Sequence, residues 1–154
     1  MADQVEKQFA IQKVYVKDVS FETPNSPEIF TQKWEPNVEF NLSSNAQELQ
    51  EGVYEVVLTV TVTVKLEEKT AYLVEVAQAG IFAAQGFEQE EMGPLLGIYC
   101  PNTLFPYARE VVSDLSLKGG FMPMVLPPVN FEAIYAQKMQ QQAQQQEGAA
   151  GKPN

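Results

Sequence analysis

The chain has 154 residues and a formal net charge of −10 at neutral pH, from ten basic and twenty acidic side chains. This length fits one domain that can bury a core, and the acidity argues against nucleic acid or an anionic membrane as a partner. Histidine is absent and the only cysteine is Cys100, which excludes a histidine-based catalytic site, an intrachain disulfide and a cysteine metal cluster.

Residues 1–8 are polar and begin the chain without the apolar run of a signal peptide. No later apolar stretch has the length of a membrane span. We therefore expect a flexible N-terminal segment on a cytoplasmic protein that does not insert into the membrane. A single cysteine also fits a reducing compartment.

The first strand is predicted over residues 9–22, but the parity of its apolar positions changes after Val16. Such a change predicts a β-bulge near Lys17 and Asp18. Beyond the bulge, Asp18 and Glu22 are expected to project together from the exposed face.

A connection rich in proline, residues 23–36, separates the first strand from the second. It contains Phe30 and Trp34, the only tryptophan. Alternation of apolar and polar residues predicts the second strand at residues 37–42. The polar residues 43–52 are predicted to form a turn region.

The clearest pattern is a central antiparallel hairpin. In residues 56–66 every even position is apolar, whereas most odd positions are polar, as in a half-buried strand. Residues 70–82 form its partner after a three-residue loop, 67–69. Matching the valine-rich faces places Thr61 opposite Glu75, and a slip of one residue would turn the valines to the wrong side.

Helical patterns follow the hairpin. A short helix is predicted within residues 87–96, and a longer one begins at Asn102 as N-cap and ends at Lys118, before a glycine. A last helix is capped by Asn130. The glutamine-rich residues 140–154 lack apolar groups, so we expect a disordered tail.

These elements predict an α+β fold, with a four-stranded antiparallel sheet followed by two main helices in one domain, residues 9–139. Two helices cannot cover both faces of the sheet, so one face is either exposed to solvent or covered by another copy of the chain. The candidate interface residues lie in the fourth strand and in the apolar stripe of the longer helix: Val74, Val76, Gln78, Val111 and Leu115.

No arrangement of residues suits catalysis, and we expect no enzymatic activity, cofactor or metal site. Cys100 has no cationic neighbour in sequence and is predicted to be a buried, inert thiol.

Aromatic and thioether side chains are frequent in the loops and the last helix. They fit either packing beneath the loops or an apolar groove for unfolded polypeptide. The candidate groove residues are Phe30, Trp34, Met124, Phe131 and Tyr135.

Four segments resemble the SecB family of protein-export chaperones. They are YVKDVSFE at residues 15–22, VYEVVL at 53–58, GIYCPNTLFPYARE at 97–110 and PVNF at 128–131. The resemblance implies a cytoplasmic homotetramer, a dimer of dimers whose helices lie between two sheets. It also implies an ATP-independent holdase that binds unfolded precursor proteins and passes them to the SecA motor ATPase.

The resemblance further implies the binding sites. The residues implied for the acidic SecA-binding surface are Asp18, Glu22, Leu73 and Glu75. The residues implied for the client groove are Trp34, Met124, Phe131 and Tyr135. A SecB-like chaperone dedicated to one client, such as an antitoxin, is the alternative that the sequence leaves open.

Overall fold

The computed structural model describes residues 6–150. Its main elements are β1 (Gln8–Glu22), β2 (Pro36–Gln50), β3 (Val53–Leu66), β4 (Lys69–Gln85), α1 (Gln89–Pro94), α2 (Cys100–Lys118) and α3 (Phe131–Ala150). The strands form one antiparallel sheet in the order β1-β4-β3-β2. The predicted α+β fold is thus confirmed, whereas most of the predicted flexible N-terminus, residues 1–5, lies outside the described residues.

The central hairpin of β3 and β4 has the predicted register, with Thr61 opposite Glu75. Its connection is shorter than predicted, because Leu66 pairs with Lys69 and only two residues remain in the turn. A register irregularity after Val64 absorbs the difference. The valine-rich faces therefore coincide although the loop is tighter than expected.

β1 contains two register irregularities. One lies between Val16 and Asp18 and leaves Lys17 as the extra residue, which confirms the predicted bulge. The other, between Ile11 and Lys13, was not predicted. Both bend an edge strand and change which side its residues face.

β2 is longer than the sequence pattern indicates. It runs to Gln50 and pairs with β3 along this length, so the prediction of a turn region at residues 43–52 is wrong. Only Glu51 and Gly52 form the turn, and Gly52 has a φ of 77°, which glycine adopts without strain. Polar residues continue the strand because pairing with β3 satisfies their backbone groups.

The core lies between the sheet and α2. Even-numbered residues of β3 and β4 face this helix, and the side chains from Val56 to Val64 on that face have no solvent exposure. Leu104, Ala108 and Val112 form the centre of the opposing helix face and are also fully buried. Each buried aliphatic side chain of valine size or larger contributes roughly 1.5–3 kcal/mol.

The structure does not leave Val74, Val76 and Gln78 available for the predicted subunit interface. All three lie beneath the helices of their own chain, and none exposes more than 2% of its surface. Gln78 Nε2 also donates a hydrogen bond to the Tyr15 carbonyl at 3.0 Å. The apolar pattern correctly predicted that this face is buried. The cover is provided by the chain's own helices and not, as predicted, by a second copy of the chain.

The helical segment after the sheet is continuous. A π-helical turn, Leu95–Tyr99, joins α1 to α2. The predicted short helix and the end at Lys118 are confirmed, whereas Asn102 is not an N-cap because α2 already begins at Cys100.

α3 begins after Asn130, whose Oδ1 accepts a hydrogen bond from the Ala133 backbone N–H at 3.0 Å. This confirms the predicted cap. The helix then continues to Ala150, so residues 140–150 are helical where composition predicts disorder. Alanine and glutamine are good helix formers once a helix has been started.

α3 is attached to the domain through its first turns. Phe131 is buried against Phe105, with 5.9 Å between ring centroids. Tyr135 lies on Gly93 and Gly97, and a Cβ added to Gly97 would come within 2.6 Å of the tyrosine ring. The absence of side chains at both glycines therefore lets α3 approach closely.

We expect Gly97→Ala to detach α3, because the added methyl overlaps the Tyr135 ring and overpacking of this kind costs about 1–3 kcal/mol. Hydrogen exchange of the backbone amides at residues 131–139 should accelerate roughly tenfold or more. Gly148→Ala is the control, since a Cβ there meets nothing within 4 Å. Equal exchange rates in both variants would contradict the proposed contact.

Candidate binding surfaces

One helix is too narrow to cover this sheet. A helix with side chains is about 10 Å across, whereas the axes of four adjacent strands span roughly 14 Å. α2 packs on β4 and β3, and the helix-side faces of both edge strands are left partly open. We call them the β1 flank (Ile11, Val16 and Val19) and the β2 flank (Val38, Phe40 and Leu42).

The β2 flank is an apolar strip in contact with solvent. Val38 and Phe40 lie opposite Val64 and Val62, which places them on the helix side of the sheet. They are nevertheless 42% and 38% exposed. The sequence pattern does not indicate this surface, because alternation shows which face of a strand is apolar but not how far a helix reaches across it.

An aromatic cluster lies near the N-terminal end of β2. Phe121 is its centre, with ring centroids 5.1 Å from Phe30, 5.7 Å from Trp34 and 4.8 Å from Tyr72. Phe30 and Trp34 remain exposed on its outer side. The structure therefore brings these two predicted groove residues together.

The loop after α2 is anchored through Met124. Its backbone N–H donates to Ser116 Oγ at 2.8 Å, and the Ser116 hydroxyl donates to the Ser113 carbonyl at 2.9 Å. Met124 itself is half-buried. Its neighbours Met122 and Val125 are 72% and 74% exposed, so they offer more apolar surface than the predicted residue.

A cleft of about 490 Å³ lies at the far end of the β2 flank, between residues 42–46 and α3. Ile134, Tyr135 and Met139 line its helical side. Phe131 borders the cleft but is almost fully buried and belongs mainly to the core. The predicted groove residues Phe30 and Trp34 therefore lie apart from Phe131 and Tyr135, and the β2 flank lies between the two pairs.

The β1 flank is a second exposed apolar surface. Tyr99, the last residue of the π-helical turn before α2, contacts Phe9 of β1 edge to face, with 4.9 Å between ring centroids. Tyr107, Val111 and Leu115 follow at four-residue spacing along the helix. Tyr107 is exposed, whereas Val111 and Leu115 are half-buried.

The sheet face opposite α2, here called the outer face, carries the predicted acidic residues. Glu22 lies opposite Leu73 in the pairing of β1 with β4, and antiparallel partners point to the same side. Asp18 and Glu75 share this side, and Glu75 accepts a hydrogen bond from Thr61 Oγ1 at 3.2 Å. The predicted grouping of Asp18, Glu22, Leu73 and Glu75 on one accessible face is therefore present.

A hydrogen-bonded network crosses the outer face from β3 to β1. The Glu55 carboxylate accepts hydrogen bonds from the Tyr15 hydroxyl and from Lys17 Nζ, the latter at 2.8 Å. Hydrogen bonds from Lys17 and, to a smaller extent, from Tyr15 lower the pKa of Glu55. The hydrogen bond to Glu55 in turn raises the pKa of Tyr15 to about 12. On the intervening strand, Ala79 lies opposite Tyr15 and is fully buried, so its small side chain lets the network pass.

Residues 6–150 contain neither a metal-binding cluster nor a membrane-spanning helix. No cluster of acidic or cysteine side chains in that range could hold a metal ion. No helix in the same range is long and apolar enough to cross a membrane. Cys100 is fully buried, as predicted, and desolvation raises the pKa of its thiol to about 12.

Comparison with known proteins identifies close relatives. The family described as Preprotein translocase subunit SecB matches residues 2–142. The protein-export protein SecB of Methylococcus capsulatus is 70% identical over 146 residues, which are 95% of this chain and 94% of that protein. The protein-export protein SecB of Nitrosococcus oceani is 61% identical over 145 residues, covering 93% and 87%.

A solved structure has a similar fold. The SecB-like chaperone Rv1957 of Mycobacterium tuberculosis, in complex with a ChAD peptide from the HigA1 antitoxin, aligns with a TM-score of 0.62. The alignment covers 79% of this chain and 90% of that chain at 18% identity. This likeness concerns the fold.

The Glu55 network should make stability depend on pH. Because the folded state holds the pKa of Glu55 below its ordinary value of 4.5, its stabilisation is present above that value and is lost as pH falls through the folded pKa. Denaturant titrations should therefore show a larger stability loss for Glu55→Gln at pH 7 than at pH 3. Equal losses at both pH values would contradict the assignment.

Proposed function

Since the chain belongs to the SecB family, we propose that it is an ATP-independent holdase of protein export that binds unfolded precursor proteins and delivers them to SecA. The observation that carries this proposal is the 70% identity, over almost the whole chain, with a protein-export protein SecB. The family is a chaperone family, and we expect neither catalysis nor a cofactor. The cytoplasm is the compartment in which unexported precursors and SecA would meet it.

The β2 flank is the proposed client surface. Clients of a general holdase share no sequence, so they are best held by many weak apolar contacts that can later be released. The flank offers such contacts between the aromatic cluster and the cleft beneath α3. Binding there would select extended chains whose apolar residues are exposed, and preferential binding of the unfolded state retards folding by mass action.

A refolding assay tests the proposed function. A slowly folding precursor is diluted from denaturant in the presence of increasing amounts of the chain, without nucleotide. We expect its refolding to stop near stoichiometric ratios. An unchanged refolding rate would contradict the holdase function.

We expect Phe40→Ser to weaken client binding about threefold to tenfold, because it removes the central aromatic side chain of the β2 flank. The affinity is measured by fluorescence anisotropy with a labelled, permanently unfolded precursor. Asn41→Ser is the matched control, since this neighbour lies on the outer face of the same strand. Equal affinities of both variants and the original protein would exclude the β2 flank as the client surface.

We further propose that copies of the chain associate into a homotetramer, built as a dimer of dimers. The β1 flank and the ridge of Tyr107, Val111 and Leu115 would together supply the apolar surface of an isologous contact. The side of α2 that faces away from the sheet carries Arg109, the only arginine, beside Glu110. Opposite charges on one helix face can pair with their copies across a twofold axis.

Val19→Glu should reduce the assembly from four copies to fewer, because it places a charge within the β1 flank. Light scattering measures the mass. Ser20→Glu adds the same charge on the opposite face and should leave the mass unchanged. A tetramer that persists with Val19→Glu would place the interface elsewhere.

The outer face is the proposed SecA-binding surface. Asp18, Glu22 and Glu75 are exposed there, and Leu73 contributes a half-buried apolar centre. An acidic surface on a chain with a net charge of −10 would accelerate encounter with a basic surface of a partner. Because this face is opposite the β2 flank, SecA could dock while a client is still bound.

Glu75→Lys should weaken SecA binding roughly tenfold or more without changing the mass, because it reverses the charge at the centre of the outer face. Isothermal titration calorimetry at two salt concentrations measures the affinity and its screening. Glu68→Lys makes the same charge change in the β3–β4 turn and serves as the control. Unchanged affinity in Glu75→Lys would remove this residue from the proposed site.

Dedication to a single client such as an antitoxin is the alternative function. Its support here is a fold likeness at 18% identity. Identities of 61–70% with protein-export proteins favour export.

A further inference from the structure

The bulge in β1 decides which residues reach the outer face. Before it, Tyr15 faces outward, opposite Ala79; after it, Asp18 lies opposite Ala77 and also faces outward. Lys17 is the inserted residue that changes the parity. If the extra residue were paired into the ladder, Asp18 and Glu22 would point to the helix side.

The Glu55 network holds the bulge and the strand that leads into it. Tyr15 lies two residues before the insertion and Lys17 is the insertion itself, and both donate to the same carboxylate. Glu55 belongs to β3, two strands away, so the bulge is fixed to the centre of the sheet rather than to its own edge. Further along β1, Phe21 packs on Tyr72 at 5.7 Å between centroids, which fixes the strand beyond the bulge.

This ion pair differs from the others within the described residues. The Glu55 side chain is only 11% exposed, whereas the acidic partners of the four other pairs are 36–71% exposed. Exposed pairs contribute little to structure because solvent screens them. The shielded carboxylate that accepts two hydrogen bonds is a better structural anchor.

We propose that Glu55 is a positioning residue of the outer face, which fixes the β1 bulge through Lys17 and Tyr15 and thereby presents Asp18 and Glu22 to a docking partner. The same contact holds the Lys17 ammonium against Glu55, so it does not neutralise the adjacent Asp18. This inference rests on the proposed function in one respect, namely that the partner is SecA. The effect on the bulge is independent of any partner.

Two single substitutions and their combination test the proposal. Lys17→Glu and Glu55→Lys change the net charge in opposite directions, yet both break the ion pair. We expect each to weaken SecA binding at least fivefold, and the double variant, which restores the pair with reversed charges, to recover to within twofold of the original affinity. Client affinity should remain unchanged in all three variants.

A role of net charge alone gives a different result. In that case Lys17→Glu would strengthen SecA binding, and the double variant would show no rescue beyond the sum of the single effects; either outcome would overturn the proposal. Glu39→Lys is the matched control, since it makes the same charge change as Glu55→Lys in the exposed pair with Lys65. Its effect should be smaller than that of Glu55→Lys.

Tyr15→Phe provides a milder test that removes one hydroxyl and keeps the charge. Amide hydrogen exchange at residues 16–20 should accelerate in this variant, and unchanged exchange would overturn the anchoring role. This readout requires no SecA. If the original protein fails to bind SecA while exchange responds as expected, the proposed docking fails but the anchoring of the bulge stands.

Discussion

The packing of α2 against β3 and β4 is the interaction on which the rest of the structure depends. It buries the valine-rich face of the central hairpin completely and supplies much of the apolar burial that stabilises the domain. It also stops at these two strands, because a helix is narrower than a four-stranded sheet. The same contact that makes the core therefore leaves apolar surface on both edge strands.

These open surfaces and the outer face suit different partners. The β2 flank lies between the aromatic cluster, which is formed mainly by loop residues, and the cleft beneath α3. The β1 flank and the apolar ridge of α2 suit a second copy of the chain. The outer face carries the exposed acidic residues Asp18, Glu22 and Glu75. The proposed chaperone thus separates client binding, assembly and delivery on three surfaces of one small domain.

The sequence predicted those features that follow from local pattern. The parity of the apolar positions, together with the predicted loop 67–69, placed Thr61 opposite Glu75. Parity also located the bulge near Lys17 and Asp18, and Asn130 was recognisable as a cap. Features set by distant neighbours were not predictable in this way. Pairing with β3 extends β2 through the polar residues 43–50, and α2 covers Val74 and Val76. Glu55 contacts Lys17 although the two residues are 38 positions apart in the sequence. The exposure of Phe40 depends on the width of a helix, which no alternation of residues encodes.

A methyl NMR titration of the assembled protein with an unfolded precursor tests the proposed client surface most directly. Shifts and broadening are expected at the methyl groups of Val38 and Leu42 on the β2 flank, whereas those of Val57 on the outer face should be unaffected. Perturbation of Val57 without change at Val38 and Leu42 would contradict this proposal. That result would mean that clients bind the outer face of the sheet and that the open β2 flank has another occupant.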